Sequence, residues 1–358
     1  MRIPDSFEKR VWVMGAIHES SRAAIPYPHN VTSAICIPDG QNKERQKMYT
    51  GIDIGGTKCA VVLSDDNGNI LKKERFPTVG FEETLAKIID TTERVGVGKA
   101  IGISCGGPLD SEHGVIMSPP NLPGWDDVHI ADILGQRFGV PVGLCNDADA
   151  CALAEWKFGA GKGTKNMIFM TFGTGLGAGL ILNGKLYSGS SSSAGEAGHI
   201  RLAPDGPTGY RKAGSCEGFC SGGGIRQIGQ QVALREIKRG NPPAWCRSEE
   251  ELDTVTAKTV GDAAEAGDTV AAEVYDISGE KLGYGLSILI DLLNPEKIVL
   301  GGIYMRSAEL LNRKMYEVLE REALPQALSV CRIVPAGLGE SIGDLAAVLV
   351  AMQAAGAL

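Results

Sequence analysis

A strand, a glycine-rich loop and a returning strand occur twice in this chain, about a third of its length apart. The first copy is an apolar run ending in Asp53-Ile54-Gly55-Gly56-Thr57-Lys58. It continues as Cys59-Ala60-Val61-Val62-Leu63, turns at Asn67-Gly68 and returns from Ile70. The second copy runs from Met167 to Phe172, through Gly173-Thr174-Gly175-Leu176-Gly177-Ala178-Gly179 and Leu180-Ile181-Leu182, and turns at Asn183-Gly184 into Lys185-Leu186-Tyr187. Asn-Gly between apolar runs predicts a hairpin whose two central residues take positive φ. Loops lacking Cβ atoms let backbone N–H groups come close to an anion, so two such loops predict a phosphate clamp. Neither is a Walker A loop, since no helix opening with Gly-Lys-Ser/Thr is present. Neither is a Rossmann fingerprint, since strands and not a helix follow both. Taken alone, Asp53 to Thr57 could be a tight turn with nothing bound; the second loop, with Thr174 in the equivalent place, argues for phosphate binding.

The 358 residues, 43% of them apolar, are enough for two cores. The net charge of −8 and the scattered lysines and arginines argue against nucleic acid as a partner. Nine cysteines without the regular spacing of a secreted framework read as reduced thiols, and no apolar run approaches a membrane span of about 18 residues. The expectation is a cytoplasmic protein without export signal or membrane contact.

Residues 1–47 are interrupted by Pro4, Pro26, Pro28 and Pro38 and sustain no periodicity, so they predict a loosely ordered extension or an upstream start before Met48. Helices are predicted at Phe81 to Val95, Ile130 to Phe138, about Ala148 to Lys157, Ala271 to Leu293 and Asp344 to Ala354. Buried strands are predicted at Ala100 to Ser104, Val142 to Leu144 and Ile298 to Leu300, the last leading into Gly301-Gly302. Asn294-Pro295 stops the long helix. The C-terminal helix is expected to cross back to a small lobe of residues 49–157, completed by about 342–358, with 158–341 as the large lobe.

The ordered set of segments resembles the ROK family of bacterial sugar kinases and sugar-responsive regulators, within the actin/hexokinase/Hsp70 superfamily. The matching segments are Asp53 to Lys58, Asn121-Leu122-Pro123-Gly124-Trp125, Asn146-Asp147-Ala148-Asp149-Ala150, Phe172 to Gly179, Gly195-Glu196-Ala197-Gly198-His199, and Asn294 to Gly302. The resemblance implies an α/β, two-lobed actin/hexokinase-like fold, duplicated from a ribonuclease H-like unit, with a cleft between the lobes. It implies Asp147 as the general base on a sugar hydroxyl and Asn121, Asn146, Glu196, His199 and Glu217 as further sugar contacts. Carboxylates and an imidazole suit a polyol, whose every hydroxyl both donates and accepts. Capping of the following helix would also explain Asn146-Asp147; an ordinary Asx turn would explain Asn121, and an incidental ion pair Glu196 and His199. ATP would be held by Gly55, Gly56, Thr57, Lys58, Gly173, Thr174, Gly175, Gly301 and Gly302, with Asp53 positioning the waters of its magnesium ion. Lys58 could equally be a solvated lysine after a turn.

One segment departs from the family. Where most members carry Cys-x-Cys-Gly-x-x-Gly-Cys-x-Glu, which binds structural zinc together with the histidine, this chain has Thr208, Tyr210 and Ser215 before Cys216 and Glu217. Hydroxyls are poor zinc ligands, so no zinc is expected, although Cys216, Cys220 and His199 could form a partial site. Other packing must then orient the loop, with Phe219 and Tyr210 as candidates. The activity implied is ATP-dependent phosphorylation of a hexose, first glucose at its 6-hydroxyl, with N-acetylglucosamine, N-acetylmannosamine or another hexose as alternatives. A sugar-sensing regulator without a DNA-binding domain is the rival of another class, and the resemblance leaves room for a homodimer.

Overall fold

The protein, seen in a computed structural model, is described here for residues 47–358. The reading made of residues 1–46 lies outside the described residues. The first hairpin is β1 (Met48–Ile54) and β2 (Lys58–Asp65), followed by β3 (Ile70–Pro77), helix α1 (Phe81–Val95) and β4 (Ile101–Cys105). Helix α2 (Ile130–Phe138), β5 (Val142–Asn146) and helix α3 (Asp147–Lys157) come next. Then follow β6 (Met167–Phe172), β7 (Leu176–Leu182) and β8 (Lys185–Leu186). A helical stretch follows: α4 (Cys216–Cys220), α5 (Gly222–Lys238), α6 (Ala257–Glu265) and α7 (Thr269–Leu293). After β9 (Lys297–Leu300) come α8 (Tyr304–Glu322), α9 (Pro325–Val330), β10 (Arg332–Pro335) and the C-terminal α10 (Ile342–Ala354).

The duplication extends well beyond the hairpins. One five-stranded sheet has the order β3-β2-β1-β4-β5 and the other β8-β7-β6-β9-β10. In both, the first three strands are antiparallel neighbours and the last two continue in parallel. Strands β1 and β4 are almost wholly buried, which explains their unbroken apolar runs. Edge strand β3 instead exposes Leu71, Lys72 and Lys73, the charges guarding a free edge.

Three glycines decide where the C-terminal helix sits. Gly51 of β1 pairs with Gly102 of β4, and Gly102 with Gly143 of β5, so they form one row across the sheet. A Cβ at Gly102 would lie 2.1 Å from the backbone nitrogen of Ala351, and one at Gly51 would lie 2.9 Å from that of Val348. Ala346, Ala347, Val348 and Ala351 of α10 are buried over this flat strip. Helix α3 approaches β7 in the same way, with Gly179 beneath Ala148 and Ala152. The two helices share one apolar cluster that includes Ala150, Leu153, Phe169, Val299 and Leu349.

The two Asn-Gly turns differ. Asn183 and Gly184 have φ of 55° and 73°, as the hairpin signal requires. At the first turn only Gly68 is positive, at 82°. There Asp65 Oδ1 accepts the N–H groups of Asn67 and Asn69, both at 2.9 Å, so a side chain closes the loop that φ alone was expected to close. The long helix α7 ends at Asn294, which takes the left-handed conformation (φ 42°) before Pro295.

Candidate active site

The first glycine loop is held at its base and open at its tip. Gly55 N–H donates to the Lys58 carbonyl over 3.1 Å, Thr78 N–H donates to the Thr57 carbonyl over 3.0 Å, and the Thr78 hydroxyl donates to the Gly55 carbonyl over 2.6 Å. Gly56, Thr57 and Lys58 remain exposed. A Cβ on Gly56 would stand 2.7 Å from the Asn121 carbonyl oxygen, so the segment carrying Asn121 rests on this loop. At the strand end before it, half-buried Asp53 has its pKa pushed up to about 6, by desolvation first and then by the charges of Asp344 and Asp147. Lys58 and Arg75 pull the other way.

The second loop is enclosed by two later glycine segments. Gly173 N–H donates to the Gly175 carbonyl over 3.0 Å, and Gly222 N–H donates to the Gly173 carbonyl over 2.8 Å. Gly301 N–H donates to the Met170 carbonyl, and Ile303 N–H to that of Phe172. At Gly302 (φ 61°) a Cβ would lie 2.1 Å from the Phe172 oxygen, so only glycine lets the end of β9 come so close. Sequence reasoning missed Gly222 and Gly223, beside Gly173 and Thr174. Ser221 followed by three glycines was the available signal: Ser221 caps α5, its Oγ accepting Gly224 N–H at 3.0 Å.

Asn146 does cap α3, its Oδ1 accepting Ala148 N–H at 2.9 Å, and Asp147 Oδ1 accepts the same donor at 2.8 Å. Capping engages only Oδ1 of Asp147. Solvent reaches Asp147, yet the surrounding protein desolvates it enough to raise its pKa. Glu196 is raised as well, mainly by burial; His199 lowers it, while Glu217 and Asp147 add to the rise. Glu217 Oε2 accepts Leu176 N–H at 3.0 Å, which ties it to the second glycine loop. Asp53, Asp147, Glu196, His199 and Glu217 therefore form one electrostatic neighbourhood, although they come from four separate stretches of chain. Asn121 is brought to the first loop, and Gly301 and Gly302 to the second.

Two further carboxylates belong here. Asp149, 3% exposed, bonds Ser188 Oγ over 3.3 Å through one oxygen. Its other oxygen is buried without a partner among the described residues, and burial pushes its pKa up to about 7. Its i, i+2 spacing from Asp147 gave no signal, since helix capping accounts for acids in a first turn. Asp344, in the first turn of α10, pairs with Lys73 and lies 3.8 Å from Arg75. Its nearness to Asp53 depends on the glycine strip and could not be read locally.

The residues do not fit a structural zinc ion. Ser215 Oγ is occupied in capping α4, accepting Gly218 N–H at 3.1 Å. Thr208 is pinned through its backbone to the Gln227 amide, in both directions at 2.9 Å. Cys216 and Cys220 lie in the core of the second sheet, where burial drives the Cys220 thiol strongly upward and so against the thiolate a metal needs. Among the described residues, no three histidine, cysteine or acidic side chains are grouped so as to hold a metal.

The sequence model of the ROK family matches residues 49–354. A glucokinase of Thermotoga maritima is 33% identical over 307 residues, covering 83% of this chain and 95% of that protein. A xylose repressor of Caldicellulosiruptor bescii is 29% identical over 287 residues, covering 76% of this chain and 70% of the repressor. Among solved structures, a ROK family glucokinase from Streptomyces griseus in complex with glucose and AMPPNP superposes with a TM-score of 0.69 at 30% identity, over 86% of this chain and 99% of that one. The α/β architecture is thus the actin/hexokinase-like fold of these proteins.

Proposed function

The chain belongs to the ROK family, and from that premise we propose that it is a sugar kinase that transfers the γ-phosphoryl group of ATP to a hexose, with glucose as substrate and its 6-hydroxyl as acceptor. The observation that carries this reading is the convergence of Asp147 with Asp53 on one side and with Glu196, His199 and Glu217 on the other. Phosphoryl transfer asks a protein for an aligned nucleophile, neutralised charge and little else. In this reading Asp147, fixed by Ala148 N–H, accepts the proton of the attacking hydroxyl. Its raised pKa moves it toward the range where a carboxylate works as a base. Glu196, His199, Glu217, Asn146 and Asn121 orient the sugar. Gly55 to Lys58 and Gly173 to Gly175 receive the phosphates, and Gly301-Gly302 give the nucleoside a Cβ-free surface.

The donor set at the first loop fits a magnesium ion. Asp53 carries a carboxylate whose charged form is disfavoured first by burial and then by Asp344 and Asp147, a setting a divalent cation would relieve. Bound with ATP, magnesium would neutralise phosphate charge; Asp53 would hold its waters.

The test is ADP release by the purified chain against a panel of hexoses and N-acetylhexosamines. Stimulation by glucose above all others is expected, and no stimulation by any sugar would sink the kinase reading. The resemblance to a xylose repressor supports one alternative, sugar sensing without turnover. It predicts saturable sugar binding in calorimetry with no ADP formed.

A further inference from the structure

The segment that lacks zinc ligands is not loose. Thr208–Gly209 and Lys212–Ala213 form a short two-stranded ladder whose two linking residues, Tyr210 and Arg211, have φ of 35° and 64°. Left-handed backbone at two consecutive non-glycine residues is costly and persists only where surrounding contacts hold it. Three such contacts are present. The Tyr210 and His199 rings meet in a T-shaped contact, with centroids 5.6 Å apart and planes at 79°. The Lys212 ammonium donates to the His199 carbonyl oxygen. Arg201 donates from Nη1 to the Ala213 carbonyl at 2.8 Å and to that of Pro204 at 3.2 Å. The histidine is thus gripped at its ring by Tyr210 and at its backbone by Lys212.

Resting on the proposed sugar-kinase reading, we propose that this turn is a metal-free clamp: Tyr210 and Lys212 are positioning residues that hold His199 toward the sugar. A metal ion would fix the imidazole by taking one ring nitrogen; a T-shaped aromatic contact fixes the ring plane without coordinating a nitrogen. The second grip acts on the same residue through its backbone carbonyl.

The tests separate this inference from the reading it rests on. In Tyr210→Leu and Lys212→Met, KM for the sugar should rise about three- to tenfold, while KM for ATP stays at the wild-type value and saturated kcat changes by less than about twofold. Tyr210→Phe, which keeps the ring, should restore the wild-type KM. Equal changes in both KM values, or failure of the phenylalanine to rescue, would overturn the clamp. A second measurement needs no substrate. Of the five histidines in the chain, the one whose NMR signals vanish in His199→Gln should carry a ring-current shift that disappears in Tyr210→Leu and survives in Tyr210→Phe. A His199 signal indifferent to Tyr210→Leu overturns the proposal whatever the sugar assay shows. Metal analysis of the purified chain should find zinc far below one ion per chain, and stoichiometric zinc would refute the clamp.

Discussion

The backbone N–H of Leu176 donates to Glu217 Oε2 over 3.0 Å, so the loop proposed to hold phosphate and a carboxylate proposed to hold sugar are one hydrogen-bonded unit. A Cβ on Gly175 would fall 2.9 Å from the same oxygen. Gly175→Ala should therefore disturb both ligands at once, raising KM for ATP and for the sugar by roughly tenfold each, the scale of one displaced charged hydrogen bond. An effect confined to ATP in steady-state kinetics would show that the coupling is not functional.

Replacing Asp147 by asparagine keeps the cap on Ala148 N–H but removes the base. Turnover should fall by about 10²- to 10⁴-fold with a much smaller change in sugar KM. Because desolvation raises the Asp147 pKa, the acid limb of the wild-type pH profile should be displaced upward from the ordinary carboxylate value. ADP release measured from pH 4 to 8 checks both statements; full turnover by the asparagine variant would remove Asp147 from the role.

Asp149 links stability to pH. Its folded pKa of about 7 exceeds the ordinary 3.8, so the native state holds this proton more tightly than the unfolded chain does. Its contribution is fully present below about pH 4 and is lost as pH rises through 7. Asp149→Asn should remove that dependence and stabilise the protein at pH 8 by on the order of 2 kcal/mol, with no gain near pH 4. Thermal melts at the two pH values decide it, and an equal shift at both would contradict the assignment.

Glu155 is fully buried in α3 and accepts three backbone N–H groups, from Ala160 at 2.7 Å, Gly337 at 3.0 Å and Leu338 at 2.9 Å. Two of those donors belong to the segment that leads into α10. Glu155→Ala strands all three, at an expected cost of roughly 3 kcal/mol or more. Denaturant unfolding gives the number, and a loss below about 0.5 kcal/mol would mean that water replaces the carboxylate.

Signals within the chain suffice for the local pieces. Its two glycine-loop hairpins, the extent of α1 and α2, the stop of α7, which begins two residues before the expected Ala271, and the strands around Ile103, Leu144 and Val299 follow from periodicity, caps and Asn-Pro punctuation, all of which act within a few residues. The family pattern also pointed to Asp147, Glu196, His199 and Glu217 as a group. Tertiary structure alone decided what those pieces meet. Gly51, Gly102 and Gly143 look like isolated helix-unfriendly residues until strand register lines them up, and only then can α10 lie flat and bring Asp344 beside Asp53. The pairing of β9 with β6 likewise brings Gly302 against Phe172, and the packing of the α5 N-terminus brings Gly222 against Gly173. The Tyr210–His199 contact arises because a missing set of thiolates says what cannot hold the loop, but nothing about which side chain does. Local signals depend on neighbours in the chain; these contacts depend on neighbours across sheets, where position is fixed only after the core has packed.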